Sequence, residues 1–418
     1  MKKKFLAMMS MTVVAGMAHA DVTLYGVIDI GIANVSNGQN IDGSAPAPLP
    51  YVINPKSSNK SITSVTSNGL SQSFLGFKGS ENISPDLTAG FQLEGGFEPG
   101  SGALADGLKG LQTGTANTTT GNDTSRAGQL FNQRSVVYLS SKSAGTLTVG
   151  RQYTVALDDI GKYDPQQGSQ AFSPIGYYGS YGGGGFTEDA RLDNAVKYNG
   201  KFNGIRVDAL YQFGGIAGNN TANSGWQGGL GTDFGNLSLD ALYAMKHDGL
   251  GVSPNNPGLK GTIADVRDYG LFAKYVMGPA TLSGGRVRYE YTTPADGGAG
   301  YSTIGGYTLA AKSATAASGK KLDLTFGGLR YAFTPEFDLT GAYYLVHQND
   351  FSGTGCSNNS KGSCSGDYKA YSLVADYKLS KRTDVYAGVG GSNVEGGMSN
   401  GFVATSNTTT MVGIRHRF

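Results

Sequence analysis

Three residue patterns in this sequence invite a chemical reading. Gly397-Met-Ser-Asn-Gly401 matches the G-x-S-x-G of a serine nucleophile. That motif works only where a strand turns sharply into a helix. Here it sits in a Gly/Ser/Asn stretch of a chain with 66 glycines in 418 residues, so it reads as loop. Gly182 to Gly185 is a glycine run without the Lys-Ser/Thr that a phosphate-binding loop needs. Cys356 and Cys364, the only cysteines, are eight apart in a polar stretch. In an oxidising compartment they favour a disulfide over two free thiols. A zinc site needs further ligands at suitable spacing, and His247, His347 and His416 are scattered. The sequence therefore predicts no catalytic centre, no metal site and no cofactor.

Composition and the first residues point to an exported β protein. Lys2, Lys3 and Lys4 precede an apolar stretch that closes at Ala18-His19-Ala20. This reads as a signal peptide over residues 1–20, followed by one domain over 21–418. No later run reaches the ~18 apolar residues of a membrane helix. Glycine at this frequency disfavours helix bundles, since each costs about 1 kcal/mol in a helix interior. Without its leader the chain carries 30 Lys+Arg against 31 Asp+Glu. That balance gives no basic face for nucleic acid.

The mature chain alternates with period two in segments of about ten residues. Leu24, Ile28, Ile30 and Ile32 share one face of the first segment, and Thr23, Tyr25, Asp29 and Gly31 share the other. Sixteen such segments are expected, at approximately 22–33, 70–80, 87–98, 131–142, 145–152, 190–199, 204–214, 226–234, 237–247, 268–277, 280–291, 321–333, 336–348, 368–379, 383–390 and 406–418. Short turns such as Ser84-Pro85-Asp86 and Gly278-Pro279 alternate with long Gly/Ser/Asn/Thr-rich loops. Seven short and eight long connections suit an all-β, sixteen-stranded antiparallel transmembrane barrel with both ends on the short-turn side. In lipid an open sheet edge has no partner, so the sheet must close. Over 280–291, parity sets Val287, Tyr289 and Tyr291 outward and Arg286, Arg288 and Glu290 toward a polar lumen.

At this point the chain resembles the general-diffusion porins of Gram-negative outer membranes, in particular the beta-proteobacterial type. The residues that carry the resemblance are Val22-Thr-Leu-Tyr-Gly-Val27, Phe74-Leu-Gly-Phe-Lys-Gly79, Leu87-Thr-Ala-Gly-Phe-Gln-Leu-Glu94, Val149-Gly-Arg-Gln-Tyr153 and Gly413-Ile-Arg-His-Arg-Phe418. The resemblance implies a homotrimer in the outer membrane, among its lipid and lipopolysaccharide. It implies a third outer loop folded inward as a constriction, and Phe418 as an assembly signal.

The same resemblance maps a basic wall onto Arg134 and Arg191. It maps an acidic side onto Glu94 and the loop residues Asp158, Asp159 and Asp164, with Asp164 as the leading acid. Opposed walls make a transverse field that polar solutes can align with. The sequence departs from the pattern at Phe74, where many relatives carry an arginine, and at Pro165-Gln166-Gln167-Gly168. By parity Lys78, Arg206, Lys274, Arg286 and Arg288 add lumen cations against Asp29, Asp208 and Glu290. Ion preference stays open, with a lean toward anions. Arg151 falls on the outward face with Leu147 and Val149, which suggests the rim or a subunit interface with an acidic partner.

The function expected is passive, weakly selective diffusion of small hydrophilic solutes and ions. A sugar- or organic-anion-specific channel would use an aromatic slide, for which Tyr163, Tyr177, Tyr178 and Tyr181 are available. A barrel enzyme would need a serine beside a histidine, and His347 has no obvious partner on its face. Long loops could also make the barrel a surface adhesin or phage receptor.

Overall fold

The computed structural model describes residues 22–36, 60–104, 130–175, 191–215, 217–222, 224–252, 261–293, 303–304, 307–308, 319–351, 355–356, 361–399 and 405–418. Residues 1–20, Tyr177, Tyr178, Tyr181 and Gly182 to Gly185 lie outside them.

Sixteen antiparallel strands close into a barrel. They are Thr23–Val35; a second strand in two pieces, Ile62–Ser67 and Phe74–Asn82; Leu87–Glu98; Arg134–Ser141; Gly145–Tyr153; Arg191–Phe202; Ile205–Gln212; Gly225–Phe234; Leu237–Val252; Gly261–Met277; Ala280–Thr292; Lys321–Ala332; Phe337–Gln348; Gly366–Lys378; Thr383–Gly396; and Ser406–Arg417. Each pairs with its sequence neighbour, and the last pairs with the first from Val27↔Arg417 to Val35↔Thr409. Phe418 completes the seam, exchanging backbone hydrogen bonds of 3.1 Å with Gly26.

The strands follow the expected alternation. Leu24, Ile28, Ile32, Val137, Leu139, Leu147, Val149, Tyr371 and Leu373 are exposed on the outer surface. That is the band a lipid-facing barrel presents. Several strands run past the expected ends, notably Gly261–Met277 and Thr383–Gly396.

Two expectations fail. The second strand is not continuous over 70–80. It breaks at residues 68–73, which turn into the barrel, and resumes upstream as Ile62–Ser67. The buried Asp29 carboxylate holds this kink by accepting from the amides of Gly69, Leu70 and Ser71 (3.2, 2.8 and 2.7 Å) and from the Tyr386 hydroxyl (2.6 Å). Asn68 takes a left-handed backbone at φ 65° to start the turn.

The second failure concerns Ala280–Thr292. Val287, Tyr289 and Tyr291 are buried inside, and Arg286, Arg288 and Glu290 face out. The reason is the inward loop. Its helix α1, Val155–Tyr163, covers the inner wall there, so that wall is an apolar core rather than a wet lumen. Val155, Ile160 and Tyr163 pack with Leu242, Phe272, Val287 and Tyr289. Tyr163 stacks on Phe272 with ring centroids 5.6 Å apart. Each such side chain, fully buried, contributes about 1.5–3 kcal/mol.

Candidate functional site: a charged wall facing the inward loop

The inward loop begins where Gly145–Tyr153 ends. Thr154 caps α1 by accepting from the Leu157 amide at 3.0 Å. The helix lies along the inner wall through the Ala156 amide to Gln227 (3.0 Å) and through Lys162 and Tyr163 to Asp240 (2.6 and 2.7 Å). Past Asp164 the chain turns under Gly328, where an added Cβ would sit 2.7 Å from Pro165. It then reaches the kink of the second strand, where Ser169 Oγ and the Ala171 amide donate to the Gly69 carbonyl (2.8 and 2.9 Å). Phe172 packs beside Tyr386 and Met411. Loop and kink thus brace each other inside the barrel.

The wall opposite carries the predicted cations. Arg134 and Arg191 flank the ring of Tyr153, with guanidinium carbons 4.6 and 5.0 Å from its centroid. Arg134 donates to Gln92 Oε1 (2.6 Å) and keeps 26% of its side chain exposed. Arg191 is more buried and reaches Gln72 of the kink at 3.0 Å. Lys78 is exposed above Tyr25, 4.8 Å from its ring centre.

Glu94 stands among these cations rather than across from them. It lies 3.8 Å from Arg134 and accepts from Tyr25 (2.8 Å) and Gln92 (2.7 Å). Parity placed it inward correctly, but Leu87–Glu98 and Arg134–Ser141 are paired neighbours with Glu94 opposite Arg134.

The loop carboxylates are engaged elsewhere. Asp158 forms an ion pair with Lys197. Asp159 faces the wall, beside Gly229. Burial, together with the carboxylates of Asp240, Asp208 and Asp158, pushes its carboxyl up to about 8. Asp164, expected to be the leading pore acid, is 2% exposed. It accepts from the Tyr344 hydroxyl (2.6 Å) and from the amides of Gln166 (3.2 Å) and Gly168 (2.9 Å). It is a staple of the turn. A buried carboxylate must find donors, and at this position the backbone supplies them.

Sequence reasoning missed Tyr153 as the spacer between the arginines. Strict alternation would put it outward with Arg151, but the alternation breaks where Gly150 takes φ 126° and the register against Arg191–Phe202 shifts, and the Tyr153 ring lies inward between the two arginines. It also missed Lys197 and Lys162, which neutralise Asp158 and Asp240.

Arg151 has an acidic partner, and that partner lies in its own chain: Asp193, at 2.6 Å. Cys356 and Cys364 form a disulfide, Sγ–Sγ 2.06 Å. Ser399 ends a short turn of 3-10 helix, Gly397–Ser399, with its hydroxyl donating to the Gly396 carbonyl (2.8 Å). His347 lies 2.7 Å from Asp367 on the outer surface. Neither forms a nucleophile–base pair among the described residues. Tyr163 is fully buried, so it cannot line a slide.

A closed barrel, a greasy outside and an inward loop facing a basic wall describe a water-filled pore, and the relatives agree. The sequence pattern of Gram-negative porins matches residues 6–397. An outer membrane porin protein of Bordetella pertussis is 28% identical across the whole of both chains. Outer membrane porin protein 32 of Delftia acidovorans is 26% identical over 68% of each. Among solved structures, an anion-selective porin from Comamonas acidovorans superposes with a TM-score of 0.65 at 20% identity, covering 96% of this chain and all of that one. A trimer form of OmpT from Vibrio cholerae superposes at 0.57 and 16%, covering 96% and 99%. The chain belongs to the Gram-negative porin family, as an outer-membrane channel through which small solutes diffuse.

Proposed function

We propose that this porin prefers small anions, through a constriction framed by Lys78, Arg134 and Arg191 on the wall and Asp158 on the loop, and that it works as a homotrimer. One observation carries the ion preference: two of the loop acids that would balance the basic wall are buried, and the third is matched by a lysine. Asp164 is buried in its turn, Asp159 is turned to the wall, and Asp158 is paired with Lys197. Glu94 offsets one of the three cations. In a narrow section of low effective dielectric, the remaining excess acts on a passing ion more strongly than it would in bulk water. The fold's likeness to an anion-selective porin and to a porin solved in a trimer form supports the reading.

The test is a planar bilayer with a KCl gradient across the refolded protein. A zero-current potential of the sign set by faster chloride, with conductance steps in threes, is the expected result. A potential of the opposite sign overturns the anion preference, and single unlinked steps overturn the trimer.

A further inference from the structure

Glycine inside a strand weakens it, because it brings no side chain to pack and loses more freedom on folding than other residues. Where it stands, another part of the molecule often approaches closely. Three glycines of the inner wall fit that description. Gly229, Gly328 and Gly388 lie on Gly225–Phe234, Lys321–Ala332 and Thr383–Gly396. Their chain neighbours Leu230, Leu329 and Val389 are exposed on the outer surface. Alternation therefore turns the three glycines toward the lumen.

Each receives one anchor of the inward loop. A Cβ on Gly229 would stand 3.0 Å from Val155 Cγ1 and 3.2 Å from Asp159 Oδ2, in the first turns of α1. One on Gly328 would stand 2.7 and 2.8 Å from Cβ and Cγ of Pro165, just past the end of α1. One on Gly388 would stand 2.6 and 2.7 Å from Cζ and Cε1 of Phe172, where the loop meets the kink. The carbon contacts all fall inside the ~3.5–4.0 Å at which such atoms rest. Val155, Pro165 and Phe172 are buried. Between the first two sockets the loop meets a bulky wall instead, with Tyr163 stacked on Phe272. The outward glycines make the contrast. Among the described residues, a Cβ on Gly228 would meet nothing nearer than 4.0 Å, and one on Gly327 nothing nearer than 3.7 Å.

We propose that Gly229, Gly328 and Gly388 are positioning residues of the constriction. The missing side chain at each sets how far the inward loop stands off the wall, and so the free width left between the loop and the side that carries Arg134 and Arg191. Seating matters to the pore because loop and basic wall bound the constriction together, the reading proposed above; it does not depend on the sign of the ion preference. A methyl on Gly388 pushes Phe172 away by about 1 Å to restore ordinary contact. The closed wall lies behind the loop, so the loop yields into the lumen.

The test uses the refolded full barrel in a planar bilayer, with single-channel conductance in KCl and exclusion of polyethylene glycols of graded size as readouts. Gly229→Ala and Gly388→Ala are the variants of choice, because only side-chain atoms crowd those positions, whereas the Gly341 carbonyl also blocks Gly328. Each should lower conductance by at least a third, and the polymer cut-off with it, in barrels whose heat-modifiable gel migration shows them folded. Phe172→Leu should restore the conductance of Gly388→Ala, and Val155→Ala that of Gly229→Ala, since each shortens the side chain that the methyl displaces. Gly228→Ala, on the outward face beside Gly229, should change nothing. Unchanged or raised conductance in either folded variant, or a loss that the shortened anchor fails to restore, overturns the proposal. Asp164→Ala, which frees the turn of the loop, separates the two readings. Unchanged conductance there overturns the loop as a boundary of the pore and the seating with it. Altered conductance there, beside unaltered glycine variants, overturns the seating alone.

Discussion

The two sides of the lumen carry similar numbers of charged residues and use them differently. On the strand wall, Arg134 and Lys78 keep part of their surface in the water, and Tyr153 and Tyr25 hold them by their faces. On the loop side, Asp164 and Asp159 are turned into protein, and Asp158 is matched by Lys197. An aromatic face orients a cation without neutralising it. A backbone amide or a lysine that meets a carboxylate uses the carboxylate up. The loop acids stabilise the loop, and the wall cations remain for the solute.

Breaking the loop side should give the largest effect on structure. Asp164→Ala removes the acceptor that the Tyr344 hydroxyl and two amides share. A buried donor left unmatched costs about 1–3 kcal/mol. The loop should detach, with protease cleavage near residues 164–168 and noisier conductance, while the barrel keeps its heat-modifiable migration. Tyr153→Leu attacks the other side. It removes two stacking contacts worth about 0.5–2 kcal/mol each and lets Arg134 collapse onto Glu94. The expected result is a modest drop in anion preference, read from the zero-current potential, with the barrel still folded by its heat-modifiable migration.

Asp159→Asn sharpens the comparison through pH. The folded carboxyl gives up its proton near 8, against about 3.8 ordinarily. Between those values the unfolded chain has already released a proton that the folded chain still holds. Loop stability therefore falls as pH rises through that window and levels off above it. The asparagine variant should behave like wild type at pH 4 and lose less by pH 9, measured as protease resistance of the loop. Replacing Cys356 and Cys364 by serine should do least. The bridge closes a short segment, its cysteines eight residues apart in sequence, in the connection between Phe337–Gln348 and Gly366–Lys378. The stability of the barrel, read from its thermal unfolding, should therefore change by less than about 1 kcal/mol, at the low end for disulfides.

Much of this was legible in the sequence. Period-two alternation and alternating connection lengths give the sixteen strands, because lipid forces every strand to be paired and every outward face to be apolar. The inward placement of Arg134 follows from its position opposite Val137 and Leu139. What alternation misses are the places where the inside is not water. Val287, Tyr289 and Tyr291 look lipid-facing because they are apolar, but the loop covers them. Arg286 and Arg288 look lumenal because they are charged, but they face outward, Arg286 beside Leu271 and both toward Asp323. Tyr153 was hidden by a local break in the alternation beside Gly150, and the fate of Asp164 depended on a tyrosine 180 positions away.

The central claim is that the wall, and not the loop, sets ion preference. The most direct test measures zero-current potentials of Arg134→Gln and Asp158→Asn beside wild type in one KCl gradient. Removing one of three wall cations, at about 0.5–1 kcal/mol for a partly screened charge, should lower the chloride-to-potassium permeability ratio about 2- to 5-fold. Asp158→Asn should change it less, and toward chloride. A large shift from Asp158→Asn with none from Arg134→Gln would contradict the account.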